Sequence, residues 1–183
     1  MAKNFKRVRI AHKTFENTNF SKVKNLKEIH DCYLADSSFE SSHLKEVSIK
    51  HSTLSGVNLK KCRLIKSHIK YSNLQNSDLT FSSINNAKLY RSNFENANLQ
   101  CTSLKSSIIN ETSFVKSDLR WSNFTDSILQ RTDFRGADLR NSNMFNAKVI
   151  DCNFSGATYN FHTHLPFSHR KASELGMILK EEI

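Results

Sequence analysis

Eight histidines, four cysteines and a long run of serines are the side chains in this 183-residue chain with the chemistry of metal ligands, nucleophiles or proton carriers. Their spacing excludes most of that chemistry. Cys32, Cys62, Cys101 and Cys152 form no C-x-x-C pair, so neither a zinc site nor a disulfide framework is predicted, and the thiols read as reduced. His162-Thr163-His164, with His169 close behind, comes nearest to a ligand set, but no cysteine or carboxylate is fixed beside it and no metal is expected. No phosphate-cradling glycine loop and no nucleophile motif occurs. The reading is therefore of a chain without catalytic residues and without a cofactor.

The remaining chemistry is electrostatic. A formal charge of +10 and a pI near 9.6 suit nucleic acid, an acidic protein surface or anionic lipid heads as partners. Lys3, Lys6, Arg7 and Arg9 are followed by no apolar run of secretory type, and no stretch reaches membrane-spanning length. A cytoplasmic protein with no membrane partner is expected.

The elements that position these groups follow from a period of five. A large apolar residue falls at every fifth position from Leu34 to Tyr159, 26 positions without a miss. Two residues before each stands a small side chain: Ser at 13, Ala at 5, Thr at 3, Cys at 3 and Val at 2 of them. Five fits neither ordinary element: on an α-helix such a column would walk around the surface, and on a straight strand it would alternate faces. A chain that points residues i−2 and i inward over a short extended piece, then turns a corner and repeats, keeps both columns inside. Successive turns then wind into a coil.

Ala137-Asp138-Leu139-Arg140-Asn141 and Ala97-Asn98-Leu99-Gln100-Cys101 resemble the A-(D/N)-L-x-x unit of the bacterial-type pentapeptide-repeat family. The resemblance implies an all-β fold, a right-handed quadrilateral β-helix with one pentapeptide per side and 20 residues per coil. The 26 units then make about 6.5 coils, roughly 30 Å of rod at the spacing of neighbouring strands. The tail Thr163 to Met177 is similar to the T-x-L-P-F-S…A…G-M ending of many bacterial members, some of which dimerise through a C-terminal helix, so a homodimer through this segment is also implied.

Three stretches follow: an irregular basic N-terminal cap over residues 1–31, the regular solenoid over 32–161, and a C-terminal cap over 162–183. Residues 1–31 hold half of the net charge, and Phe5, Ile10, Phe15 and Phe20 keep the period, but Lys3 and Lys13 stand where small residues belong and the register slips by one before Ile29. In the last stretch Ser168 and Gly176 bound a helix over His169–Leu175, with Phe167, Leu175, Met177 and Ile178 closing the core.

Division by 20 sorts the residues by face. One interior column runs Leu34, Leu54, Leu74, Phe94, Phe114, Phe134, Phe154 and another is aliphatic from Ile49 to Val149; both read as core. Outside the aliphatic column lie Lys50, Lys70, Lys88, Arg91, Arg131 and Lys148 against Glu111 and Asp151, with His51, His68, Tyr71 and Tyr90 among them, a candidate basic face. A second exterior column carries Phe81, Cys101, Trp121 and Phe161 flanked by Lys60, Lys61, Arg120 and Arg140, a candidate protein interface.

The function read from this is a scaffold presenting flat faces to a protein partner, with a binder of nucleic acid or another polyanion as the alternative. The gyrase-protecting branch of the family presents an acidic surface resembling duplex DNA; this chain departs from it in its +10 charge and its lack of inserted loops. Substituting Leu99→Asp buries a carboxylate in the middle of the predicted core and is expected to unfold the central coils. Limited proteolysis reads the result, and a protease-resistant variant would mean that the register is wrong.

Overall fold

The inward column is buried along its whole length in the computed structural model, which describes residues 7–181. Of the large apolar positions from Leu34 to Tyr159 only Val149 is less than fully buried. Lys3 and Phe5 lie outside the described residues.

One side of each coil forms a regular parallel sheet. Its strands are β1 (Val8–Ala11), β2 (Leu26–His30), β3 (Ser48–Lys50), β4 (His68–Lys70), β5 (Lys88–Tyr90), β6 (Ile108–Asn110), β7 (Ile128–Gln130) and β8 (Lys148–Ile150), stacked in sequence order. From β2 onward every partner is 20 residues away, as in Ile29↔Ile49 and Ile49↔Ile69. The first step is shorter, Ile10↔Ile29, with an irregularity between Val8 and Arg9. The three other sides carry single parallel bridges per coil, such as Tyr33↔Thr53, Ser38↔Asn58 and His43↔Arg63. The architecture is a four-sided parallel β-solenoid, and it has more turns than the 6.5 regular ones because residues 8–31 wind as well.

The corners explain how so short a unit closes. Residues at every fifth position from Asp31 to Gly156 adopt positive φ, between 45° and 72°, which swings the chain through each corner. We number the sides by the columns beginning at Leu34, Phe39, Leu44 and Ile49. The first three corners are closed by a main-chain bond across the turn: Ser37 N–H to Leu34 O, Ser42 N–H to Phe39 O and Val47 N–H to Leu44 O. The fourth is open. There the N–H of Ser52 donates to Ser72 Oγ at 3.4 Å, Ser72 Oγ donates to Lys70 O at 2.9 Å, and the Ser72 N–H donates to Ser92 Oγ. Buried hydroxyls thus stand in for turn bonds on this edge from Cys32 to Ser92.

Buried hydroxyls need hydrogen-bond partners, and the main chain supplies them to some of the inward residues. Thr102 reaches Leu79 O and Ser107 reaches Ile84 O in the neighbouring coil, both at 2.8 Å. Ser42, Ser67, Ser82, Ser122, Ser127 and Ser142, in the same columns, make no such bond. At these positions smallness rather than the hydroxyl is what the coil requires.

Inside, Phe94, Phe114, Phe134 and Phe154 stack face to face with centroids 5.0–5.5 Å apart. Phe167 closes this column edge-on at 5.7 Å. One further side forms beyond Tyr159, with Thr163 buried and the spacing stretched by one residue at Asn143↔His164. The helix α1 (His169–Glu174) is capped by Ser168, whose Oγ accepts from the Lys171 N–H, and Ala172 and Met177 are buried beneath it. Ile178 does not close the core as expected. It pairs with Thr158 of β9 (Thr158–Tyr159) in strand β10 (Ile178–Leu179), an edge strand whose two side chains are both exposed.

Ser72→Ala strands the Ser52 N–H and is expected to cost about 1–3 kcal/mol, whereas Ser122→Ala, which removes an unpaired hydroxyl, is expected to be neutral or slightly stabilising. Thermal and denaturant unfolding of the two variants side by side checks the contrast.

Candidate functional site

The left-handed corner residues are not chosen alike on the four edges. Between the first and second sides six of seven are Gly, Asn or Asp: Asp36, Gly56, Asn76, Asn96, Gly136 and Gly156, against Lys116. Those residue types tolerate this backbone region at least cost. Between the second and third sides the same positions hold Ser41, Lys61, Phe81, Cys101, Trp121 and Asn141, and between the fourth and first Asp31, His51, Tyr71, Arg91, Glu111, Arg131 and Asp151. These two edges are diagonally opposite, and they combine strained backbone with large exposed side chains. Strain of this kind is retained where the side chain is needed.

On the first of these edges Phe81 is 65%, Trp121 50% and Phe161 65% exposed. The column is a comb: the rings stand on alternate coils, about 9.6 Å apart at the strand spacing, and make no ring contact with one another because Cys101 and Asn141 fill the rungs between. Arg120 lies over the Trp121 ring at 5.5 Å and is held by Asp118 through bonds of 2.6 and 2.9 Å. Arg140 grips Asp138 in the same way, at 2.6 and 2.9 Å. Burial pushes the Asp138 carboxyl up, but the bonds from Arg140 outweigh it and hold it below the usual carboxylate range. Arg120 and Arg140 beside the aromatic comb are therefore neutralised, while Lys61, one coil from Phe81 on the same edge, makes no ion pair among the described residues. Sequence reading overlooked Phe145, 67% exposed on the neighbouring edge; its place one residue after the inward Met144 was the available signal.

The opposite edge bears the basic face. His12, His30, His51, Tyr71 and Tyr90 touch ring to ring up successive coils, with centroids 4.9–5.9 Å apart, and Arg91 lies over Tyr90 at 5.0 Å. Arg91 and Arg131 both bind Glu111, at 2.6 and 3.0 Å, so neither is a free cation. Lys50, Lys70, Lys88 and Lys148 make no ion pair among the described residues. Lys50 and Lys70 sit directly opposite one another in β3 and β4. Burial, then the positive charges of Lys88, Lys70 and Lys50, pull the His68 imidazole below its usual pKa.

The depressions among the described residues differ in lining, and one beside α1 holds Asp151, Cys152 and Lys171. A depression of about 660 Å³ lies against the first coil near Lys22, Lys24 and His43 and offers no carboxylate or thiol. His164 is exposed, and His169 leans on Tyr159 and Phe161 at 5.5 and 5.9 Å. The His-x-His pair and His169 are not brought together around a common point.

Compared with known proteins, the chain matches the family model for pentapeptide repeats in overlapping segments that together span residues 58–156. No curated protein matches it. Among solved structures it is similar to QnrB1, a plasmid-mediated fluoroquinolone resistance protein, with 12% identity over 94% of each chain and a TM-score of 0.48. It is also similar to HetL, a pentapeptide-repeat protein involved in heterocyst differentiation regulation in Nostoc sp. strain PCC 7120, with 15% identity over 82% of this chain and 84% of that one and a TM-score of 0.34. A thylakoid-lumen pentapeptide-repeat protein of Arabidopsis thaliana gives 20% identity over 66% of this chain and 72% of that one, with a TM-score of 0.40.

The thiols divide by environment. Burial pushes the Cys62 thiol up to about 11 and raises that of Cys152 as well, Cys32 is buried, and Cys101 stands exposed in the aromatic comb. Native protein at neutral pH is expected to be alkylated at Cys101 first, with Cys62 reacting only on unfolding. Mass mapping after brief iodoacetamide treatment checks this.

Proposed function

Since the chain belongs to the pentapeptide-repeat family, we propose that it is a non-enzymatic scaffold that docks a protein partner along the Phe81–Cys101–Trp121–Phe161 edge. The observation carrying this reading is the placement of Phe81 and Trp121, at φ 59° and 56°, in a backbone region that bulky residues avoid, with their rings left in solvent. Neither the fold nor solubility gains from that choice, since Asn or Gly turns the same corner on the adjoining edge at lower cost. A contact surface does gain: tryptophan and arginine are the residues that most often anchor interfaces, and Arg120 braces Trp121 without presenting an unpaired charge. The ion-paired Arg120 and Arg140 beside Trp121 suit an apolar or mixed protein surface better than a polyanion.

A second reading rests on a different observation. Lys50, Lys70 and Lys88 form a cluster without counter-ions, and like charges directly opposite on neighbouring strands destabilise a sheet. A bound polyanion, nucleic acid included, would relieve that repulsion, and the His51–Tyr71–Tyr90 ladder beside it offers rings for base stacking. The +10 charge opposes a surface that mimics duplex DNA.

Trp121→Asn separates binding from stability. Asn tolerates the left-handed corner, so the thermal midpoint is expected to hold or rise slightly, while partner affinity falls by at least about 30-fold, as for loss of an interface anchor. The check is co-purification from host lysate with and without nuclease, comparing the parent protein, Trp121→Asn and the Lys50→Ala/Lys70→Ala pair. A discrete protein lost only from Trp121→Asn supports the scaffold reading. Recovery of salt-labile, nuclease-sensitive material lost only from the lysine variant moves the function to the opposite edge.

A further inference from the structure

The first coil is one residue short, and the shortage falls between Phe20 and Ile29, where the apolar spacing is nine residues instead of ten. In a 20-residue register Asp31 would stand beside Ala11. The 19-residue step pairs Ala11 with His30 and places His12 on the corner rung next to Asp31. Both His12 and Asp31 have left-handed backbones, φ 52° and 50°, so their side chains leave the same edge in parallel. The result is a cluster of two imidazoles and a carboxylate whose ligating atoms all lie within 4.8 Å of one another, and it is the only such group among the described residues.

We propose that His12, His30 and Asp31 bind a divalent transition-metal ion of borderline softness, with Zn²⁺ as the type, and that the ion clips the first coil to the second. This proposal is independent of the docking surfaces. The donor set is two neutral imidazoles and one carboxylate, a combination suited to Zn²⁺, Cu²⁺ or Ni²⁺ and poor for the oxygen-seeking Mg²⁺ and Ca²⁺. The geometry agrees. Metal–ligand bonds of about 2.0–2.1 Å at tetrahedral angles put neighbouring ligand atoms roughly 3.3 Å apart. The observed edges are 3.4 Å from His12 Nδ1 to Asp31 Oδ2 and 3.3 Å from His30 Nε2 to the same oxygen.

The backbone that holds these groups is fixed by the sheet: His12 N–H donates to His30 O at 3.0 Å and Asp31 N–H to Lys50 O at 3.1 Å. His51, stacked face to face on Tyr71, leans against the His30 ring at 5.9 Å and restricts its swing. Three protein ligands leave the fourth position to water. The site faces solvent along the outer edge, so an ion has free access. A clip here reinforces the end of the rod, where a solenoid has a neighbouring coil on one side only.

The experiment titrates Zn²⁺ into the full chain carrying Cys101→Ser, which removes the exposed thiol, by isothermal calorimetry. Electronic spectra with Co²⁺ give the coordination geometry. One equivalent of Zn²⁺ is expected, with tetrahedral Co²⁺ bands, a raised thermal midpoint and binding weakened at least about tenfold by His12→Ala, His30→Ala or Asp31→Asn. Asp31→Asn is near-isosteric and tolerates the left-handed corner, so it reports on the ligand set even where a histidine variant fails to fold. His162→Ala/His164→Ala is expected to bind as the parent does. Absence of binding at millimolar Zn²⁺, binding unaffected by Asp31→Asn and His30→Ala, or binding abolished by His162→Ala/His164→Ala would each overturn the proposal.

Discussion

Every coil depends on one residue in five accepting a left-handed backbone. That residue turns the corner, and the turn lets a five-residue unit send its small and large side chains inward while its amides bond to the coils on either side. An L-residue other than Gly, Asn or Asp meets a steric penalty there of roughly 1–2 kcal/mol. Fourteen of the corners between Asp31 and Gly156 meet it, with Ser, Glu, His, Lys, Tyr, Phe, Arg, Cys or Trp. The packed interior over-determines those conformations: Leu99 and the Phe94–Phe154 stack are fully buried, and phenylalanine rings repeat at 5.0–5.5 Å along one column.

Where the penalty falls divides the surface by role. One edge uses Gly, Asn and Asp almost throughout and displays little. The two edges that carry Phe81 and Trp121, and His51, Tyr71 and Arg91, accept strain in order to present rings and charges at coil spacing. A solenoid suits this because each rung repeats the same geometry, so a partner meets a ruled line of side chains in place of a pocket. On such faces neighbouring groups project in parallel, and parallel groups do not surround a substrate. The exception lies where the ruling breaks, at the short first coil, and that is where two histidines and an aspartate come together.

Ion pairing then sets which charges remain available. Arg120, Arg140, Arg91 and Arg131 all looked like free cations from their positions in the columns, but each has a carboxylate one or two residues away or one coil away. Lys50, Lys70 and Lys88 have none. Among the described residues Lys61, Lys66 and Lys116 also lack an ion pair and stand on the three other edges, so Lys50, Lys70 and Lys88 are distinguished by being clustered and not by being the sole free cations.

The sequence by itself determined that the chain winds into a coil, because a period of five with coupled small and large columns keeps both inside and the pattern from Leu34 to Tyr159 never breaks; the resemblance of its units to the pentapeptide repeat supplied the four-sided form. It also determined which residues face out, since every fifth position repeats its direction, and so Trp121 and Lys50 could be assigned to surfaces before any coordinates. The tertiary structure alone decided what those surfaces are. That the arginines are held by Asp118, Asp138 and Glu111 depends on side-chain reach, along one side of the coil for the two aspartates and across coils for Glu111. The meeting of His12 with His30 and Asp31 depends on a register offset of one residue, which periodicity signals as a slip but does not convert into a contact. Periodic patterns encode direction; contacts between rungs require the register, and the register is a property of the folded coil.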